Sequence, residues 1–112
     1  MEHEAAFYRS LLELLDIGVL VADRDGNYLY VNPAYCSQTH RTKAFFAETS
    51  IPALKEQGYF TVSVWEQVMQ QRKTVDSVMT LTDRAMNRVY GTLTTGVPAF
   101  DEDGELQYVV TM

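Results

Sequence analysis

Two short stretches of this sequence place carboxylates and glycine at a spacing that could bind a metal ion: DRDG, which begins at Asp23, and DEDG, which begins at Asp101. A calcium-binding hand begins similarly, but it also needs glycine at its sixth position and glutamate at its twelfth. The twelfth position is Ala34 in the first stretch and Met112 in the second. We therefore interpret both as chain turns, in which aspartate accepts backbone hydrogen bonds and glycine adopts a positive φ. The residues assigned to these turns are Asp23, Asp25, Gly26, Asp101 and Gly104.

Cys36 and His40 form a second candidate pair, because residues four apart share one face of a helix. Zinc needs three or four protein ligands, and His3 is the only other histidine in the sequence. No G-x-S-x-G segment marks a nucleophile, and the residues around Cys36 do not match the local signature of a catalytic cysteine. The sequence therefore predicts no metal site and no catalytic residue.

Length and charge narrow the class of protein. The chain has 112 residues, of which 46% are hydrophobic, and this is enough for one domain with one core. Its formal net charge is −6 and its nine basic residues are scattered, which argues against direct binding of nucleic acid. The longest apolar run, IGVLVA, is too short to cross a membrane, and the acidic start does not resemble a signal peptide. We therefore expect a cytoplasmic protein without a membrane partner.

The amino-terminal half predicts a helix, a hairpin and a second helix. Apolar residues recur at helical spacing over residues 3–15, and Gly18 follows where a helix would end. GVLVAD and YLYV are strand patterns on either side of the first Asp-Gly turn. Asn32 and Pro33 then predict a helix start, because asparagine caps free N–H groups and proline favours the first helical position.

The carboxyl-terminal half predicts a longer helix and three strands. SVWEQVMQQR begins with a capping box from Ser63 to Glu66. VDSVMTLTD, NRVYGTLTTGVPAF and ELQYVVT are strand patterns; in the second, Tyr90, Thr92 and Thr94 share the face opposite the apolar residues. The order of elements predicts an α+β fold with helices on one side of a five-stranded antiparallel sheet.

Three segments resemble a PAS domain. GVLVADRDGNYLYVNPAY is similar to the opening PAS hairpin and its Asn-Pro-capped helix, EQGYFTVSVWEQVMQQRKTV to the long connecting helix, and LTTGVPAFDEDGELQYVVT to the last two strands. The second and third are most similar to the amino-terminal PAS modules of bacterial sigma-54-dependent transcriptional activators. With this resemblance, we expect a flanking helix over residues 1–17 and a PAS domain over residues 18–112. Because ELQYVVTM reads as a buried strand that stops at its last residue, we expect this domain to be cut from a longer protein.

A PAS domain is a small cup, so the resemblance also implies a site. Flavin-binding relatives carry a reactive cysteine in an Asn-Cys-Arg motif, which Cys36 lacks, and haem-binding relatives supply a histidine from the long helix, where residues 63–72 contain none. We therefore predict neither flavin nor haem. The cup is either filled by its own side chains or holds an unidentified small molecule. The residues predicted to line it are Tyr35, Trp65, Met69, Met79, Tyr90 and Thr92.

The function implied is that of a sensory module which regulates a sigma-54-dependent activator through ligand or partner binding and dimerisation. The parent chain would carry an ATPase domain and a DNA-binding domain downstream. Alternatives are a PAS sensor of a histidine kinase and a ligand-free structural dimerisation module. A small α+β enzyme is a further rival; it needs an acid or histidine in the cup, but Glu66, Asp76 and Asp83 fall on polar faces.

The first helix predicts a homodimer, because its apolar stripe would otherwise be exposed. PAS relatives commonly dimerise through such a helix. A second apolar surface is predicted on the outer face of the sheet, from Leu20, Val78, Tyr90 and Val109. The alternative is a monomer whose first helix packs on its own sheet. The stripe consists of Phe7, Leu11, Leu14 and Leu15, widened by Leu12.

Overall fold

The computed structural model describes the backbone of residues 2–83 and 87–112, and the side chains of residues 3–80, 87–89 and 91–112. Five helices and five strands follow one another along these residues. In chain order they are α1 (Glu2–Leu14), β1 (Leu20–Asp23), β2 (Tyr28–Val31), α2 (Pro33–Thr39), α3 (Lys43–Ala47), α4 (Ile51–Glu56), α5 (Val64–Gln71), β3 (Val75–Asp83), β4 (Arg88–Phe100) and β5 (Leu106–Thr111). None of the helices in these residues is long and apolar enough to span a membrane.

The strands form one antiparallel sheet in the order β2-β1-β5-β4-β3, so the first and last strands of the chain meet at its centre. Helix α5 packs against β3, β4 and β5, and α3 packs against β2. The predicted α+β fold with a five-stranded antiparallel sheet and an amino-terminal helix is thereby confirmed.

Side-chain caps start the four helices that follow the hairpin. Asn32, Thr42, Ser50 and Ser63 each precede a helix and accept a hydrogen bond from the backbone N–H three residues later. Such a bond satisfies one of the N–H groups that a helix leaves free at its start. The caps at Asn32 and Ser63 are those expected from the sequence. The caps before α3 and α4 start two short helices of five and six residues.

The Asp-Gly turn of the hairpin is built from backbone hydrogen bonds to one carboxylate. Asp23 Oδ1 accepts from the N–H groups of Asp25 and Asn27, at 2.9 Å each, and Gly26 has φ +83°. Burial opposes ionisation of Asp23, but the hydrogen bonds from Asn27 and Asp25 outweigh it and hold the pKa of this carboxyl below its usual value. The turn therefore uses its aspartate as an acceptor for the backbone.

The second turn repeats this arrangement. Asp101 Oδ1 accepts from the N–H groups of Asp103 and Glu105, also at 2.9 Å, and Gly104 has φ +79°. The surroundings of the two glycines differ. A Cβ at Gly26 would lie 2.5 Å from Cδ of Pro52, whereas a Cβ at Gly104 would meet no atom within 4 Å.

A glycine in β4 lets α5 approach the sheet. A Cβ at Gly96 would lie 2.4 Å from a methyl group of Val64 and 2.8 Å from one of Val68, both on α5. Val64 and Val68 are buried there with Leu106 and Val109. The second core cluster lies around the hairpin and the short helices. Its buried residues are Leu20, Ala22, Val31, Phe46, Ile51, Leu54 and Phe60.

The outer face of the sheet differs from the one predicted. Leu20 is 6% exposed and Val109 is fully buried, so both face the core rather than solvent. They lie on the two central strands, β1 and β5, whose inner faces are covered by the helices. Val78 is exposed on β3 as predicted, whereas the side chain of Tyr90 lies outside the described residues.

The two turns offer a matched test of packing at a left-handed glycine. Both Gly26→Ala and Gly104→Ala place a Cβ at positive φ, which costs roughly 1–2 kcal/mol. Only Gly26→Ala also forces the new methyl against Pro52. We expect Gly26→Ala to lower the free energy of unfolding by about 1–3 kcal/mol more than Gly104→Ala. Urea unfolding of both variants measures this difference, and equal midpoints would contradict the packing described for the first turn.

Candidate functional site

A cavity of about 70 Å³ lies between the hairpin, α2, the helical segment from α4 to α5, and the inner face of β3, β4 and β5. Its walls combine aromatic and aliphatic side chains with hydroxyl groups. The lining residues are Leu20, Tyr28, Tyr35, Ile51, Phe60, Ser63, Val64, Trp65, Met79, Thr92, Thr94 and Thr111.

Four of the residues predicted for the cup lie on the walls of this cavity: Tyr35, Trp65, Met79 and Thr92. Met69 does not. It is one turn beyond Trp65 on α5, and this carries it past the cavity to pack against the buried cluster beneath α5. The side chain of Tyr90 lies outside the described residues.

Several lining residues were missed by the sequence analysis. Thr94 could have been found, because it shares a strand face with Thr92. Tyr28 could not, since a β-bulge interrupts the pairing of β1 with β2 and breaks the simple alternation of that strand. Thr111 required the register of the sheet, which places it opposite Gly96 on β4.

Trp65 joins the wall of the cavity to the first turn. Its indole Nε1 donates a hydrogen bond of 2.9 Å to the backbone oxygen of Asp23. Its ring also lies against Gly26, where a Cβ would come within 3.3 Å of it. The turn is tied to α4 as well, through the bond from the N–H of Ile51 to the oxygen of Gly26. The hairpin turn, α4 and α5 therefore hold one another around the cavity.

The described lining carries no charged side chain. Burial, with a smaller contribution from the neighbouring Tyr35, raises the pKa of Tyr28 far above its usual value, so this phenol is neutral. The rings of both tyrosines pack against Phe46, with centroids 4.9 and 5.2 Å away. Such a site can bind by apolar contact and neutral hydrogen bonds, and it holds no acid–base pair in the described part of its wall.

Asn32 connects the cavity wall to α1. It is fully buried, and its Oδ1 accepts hydrogen bonds from the N–H groups of Val19 and Tyr35, at 2.8 and 2.9 Å. Its Nδ2 donates to the backbone oxygens of Leu12 and Ile17, at 3.1 and 2.9 Å. One side chain thus caps α2 and holds the end of α1 together with the segment that follows it.

A polar cluster holds α1 at a second point. The Tyr30 hydroxyl donates a hydrogen bond of 2.9 Å to Glu13, and the Lys43 ammonium lies 3.3 Å from the other oxygen of the same carboxylate. The bond from Tyr30 is the main reason that the pKa of Glu13 is lowered. Burial, together with this bond, raises the pKa of Tyr30 to about 12.

The remaining candidates for chemistry do not converge in the described residues. No group of three or more histidine, cysteine or acidic side chains lies close enough there to hold a metal ion. Cys36 is half-buried, and burial raises the pKa of its thiol, so it is not an activated nucleophile. His40 ends α2 in a left-handed conformation with φ +57°.

Comparisons with known proteins agree with this architecture. A family model described as the PAS fold matches residues 6–112. The PAS domain of BvgS from Bordetella pertussis is 19% identical with a TM-score of 0.67, over 96% of this chain and 81% of that one. A PAS domain from a two-component sensor histidine kinase is 18% identical with a TM-score of 0.70, over 98% and 94%. A PAS domain from Colwellia psychrerythraea is 10% identical with a TM-score of 0.73, over 96% and 92%. The comparison with curated proteins finds no match.

Substituting Asn32 can separate its two roles. Asn32→Asp keeps oxygen acceptors for Val19 and Tyr35 but replaces the donor to Leu12 and Ile17 with a second oxygen. We expect a loss of about 2–4 kcal/mol in the free energy of unfolding. Amide hydrogen exchange should accelerate most along α1. Asn87→Asp makes the same change at an exposed position and serves as the control. Equal exchange of α1 in the two variants would contradict the role assigned to Asn32.

Proposed function

This chain belongs to the PAS fold family, and we propose that it is the sensory module of a bacterial signalling protein, with α1 as the element that reports the state of the cavity. The observation that carries this proposal is the set of four hydrogen bonds made by the Asn32 side chain. They place one buried group in contact with both the cavity wall and the end of α1.

The signal would pass through few atoms. The Tyr35 ring lines the cavity, and the Tyr35 N–H bonds to Asn32 Oδ1. A molecule or partner that displaces the ring would therefore strain the cap of α2. The Nδ2 of the same asparagine donates to the backbone oxygens of Leu12 and Ile17. The way in which α1 is held would therefore differ between the displaced and the undisplaced position of the Tyr35 ring. A ligand shifts such an equilibrium only as far as its affinities for the two states differ.

The exposed stripe of α1 would form a homodimer. Leu14 is 78% exposed, and Phe7, Leu11 and Leu15 are also exposed, whereas Leu12 is partly buried against the domain. Helix α1 ends at Leu14, so Leu15 lies just beyond it. Burying a leucine side chain contributes roughly 1.5–3 kcal/mol, which favours covering the stripe with a second copy. A change in how Asn32 holds α1 would then alter the geometry of the dimer.

Two settings in the cytoplasm fit such a module. The first is the regulatory part of a sigma-54-dependent transcriptional activator, with ATPase and DNA-binding domains downstream; GYF before α5 and the TGVP segment of β4 support it. The second is a sensor histidine kinase, supported by the similarity to the PAS domain of such a kinase. The sequence beyond Met112 distinguishes them: a phosphate-binding Gly-Lys-Thr loop belongs to the first, and a histidine-bearing helical pair to the second.

Sedimentation tests the dimer. We expect the chain to sediment as a dimer at tens of micromolar, and Leu14→Glu to shift it to monomer, because the new charge would be buried at the interface. Leu29→Glu makes the same change at an exposed position on β2 and should remain dimeric. A monomeric wild-type chain would contradict the proposal, and so would equal behaviour of the two variants.

Absorption spectroscopy tests the cavity for a large chromophore. We expect the purified chain to show no visible band from flavin or haem. The cavity of about 70 Å³ is far below the ~300–1,000 Å³ of sites that bury larger ligands. A stoichiometric visible band that copurifies with the chain would contradict this expectation.

A further inference from the structure

Two threonine hydroxyls on the cavity wall have no hydrogen-bond partner among the residues that the structure describes. Thr92 and Thr111 both line the cavity, and none of the described side-chain hydrogen bonds involves either hydroxyl. Thr111 is only 8% exposed. Buried hydroxyls in folded proteins are nearly always satisfied, by protein or by ordered water. Both hydroxyls are therefore open to a hydrogen bond from a molecule inside the cavity, either water or a ligand.

The other two serine and threonine hydroxyls of the lining are already engaged. Ser63 Oγ accepts a hydrogen bond from the N–H of Glu66 at 3.1 Å, as the cap of α5. The Thr94 hydroxyl donates to the backbone oxygen of Thr92, although at 3.4 Å this bond is long. The threonine hydroxyls open to an occupant thus lie on β4 and its neighbour β5, and the remaining wall is mostly apolar apart from the phenols of Tyr28 and Tyr35.

Size and charge limit what can enter. A buried water needs roughly 10–15 Å³ of cavity volume. The cavity of about 70 Å³ therefore has space for about five waters or a ligand of similar size. An ion would lose its hydration without meeting an opposite charge in the described lining, and uncompensated burial of charge is costly. The site therefore selects against carboxylates and ammonium ions.

We infer that the cavity binds a compact uncharged molecule of about five non-hydrogen atoms, which carries one hydrogen-bonding group and displaces the water held by Thr92 and Thr111. Its apolar part contacts Leu20, Ile51 and Phe60, which line the same space. This inference rests on the proposed sensory function, since it names the chemical class of the signal. It extends that function by excluding charged metabolites from the site.

Three small probes of similar size test the class of ligand. They are 2-butanol, which is neutral, sec-butylammonium, which is its cationic analogue at pH 7, and propionate, which is anionic. Each is titrated into the whole chain while backbone amide chemical shifts are followed. We expect 2-butanol to shift the amides of Thr94 and Val110 saturably and to bind at least about tenfold more tightly than either ion.

Isosteric variants test the hydroxyls. Thr111→Val and Thr92→Val each replace a hydroxyl with a methyl group, and each should weaken binding of 2-butanol by about five- to tenfold. Thr80→Val is the matched control, because Thr80 is exposed on the neighbouring strand β3 and does not line the cavity. Two variants are tested so that, if one of them fails to fold, the other still measures what a cavity hydroxyl contributes to binding.

The outcomes separate this inference from the proposed function. Equal binding of an ion, or variants at Thr92 and Thr111 that bind like Thr80→Val, would overturn the ligand class. If 2-butanol shifts the cavity amides and also those of Leu12 in α1 and of Ile17 just beyond it, both proposals are supported. If only the cavity amides respond, the ligand class is supported and the coupling to α1 is overturned. If no probe binds although Asn32→Asp releases α1, the ligand class alone is overturned.

Discussion

The fold depends on the complete hydrogen bonding of one buried amide. Asn32 ends the hairpin, starts α2 and fixes the end of α1, and all four of its side-chain bonds go to backbone groups. An amide buried without partners would be strongly destabilising, so the hairpin, α2 and the end of α1 must be in place together. This explains why the hairpin joins the next helix with no intervening loop. The tight junction forms the corner at which the flanking helix, the sheet and the cavity wall meet.

Two glycines set how closely the helices approach the sheet. Gly96 lets Val64 and Val68 lie directly on β4, and Gly26 lets the first turn pack beneath Pro52 and Trp65. The cavity lies between these two close contacts. Because neither position has room for a Cβ, these glycines set the distance between the backbone and the side chains packed on it at both sides of the cavity. The close contacts that stabilise the domain therefore also bound the cavity.

Short-range signals in the sequence predict the fold, but they do not predict every residue that lines the cavity. The Asp-Gly turn, the cap at Asn32 and strand alternation are short-range features, and they predicted the architecture correctly. The place of Thr111 depends on the register between β4 and β5, and that of Met69 on where α5 crosses the sheet. The outer face was misassigned at Leu20 and Val109 because apolar residues on central strands can face either way until the covering helices are known. Long-range pairing decides such positions.

The two faces of β4 link the cavity to the surface. Thr92 and Thr94 point inward, whereas Leu93 is 79% exposed and lies opposite the exposed Val78 on β3. This polarity is the reverse of the usual alternation, in which apolar residues face the core. An inward hydroxyl without a protein partner gains from an occupant to bond, and outward apolar residues gain from a covering partner. The same strand therefore offers hydroxyls to an occupant on one side and an apolar surface to a partner on the other, which fits the proposed sensory function.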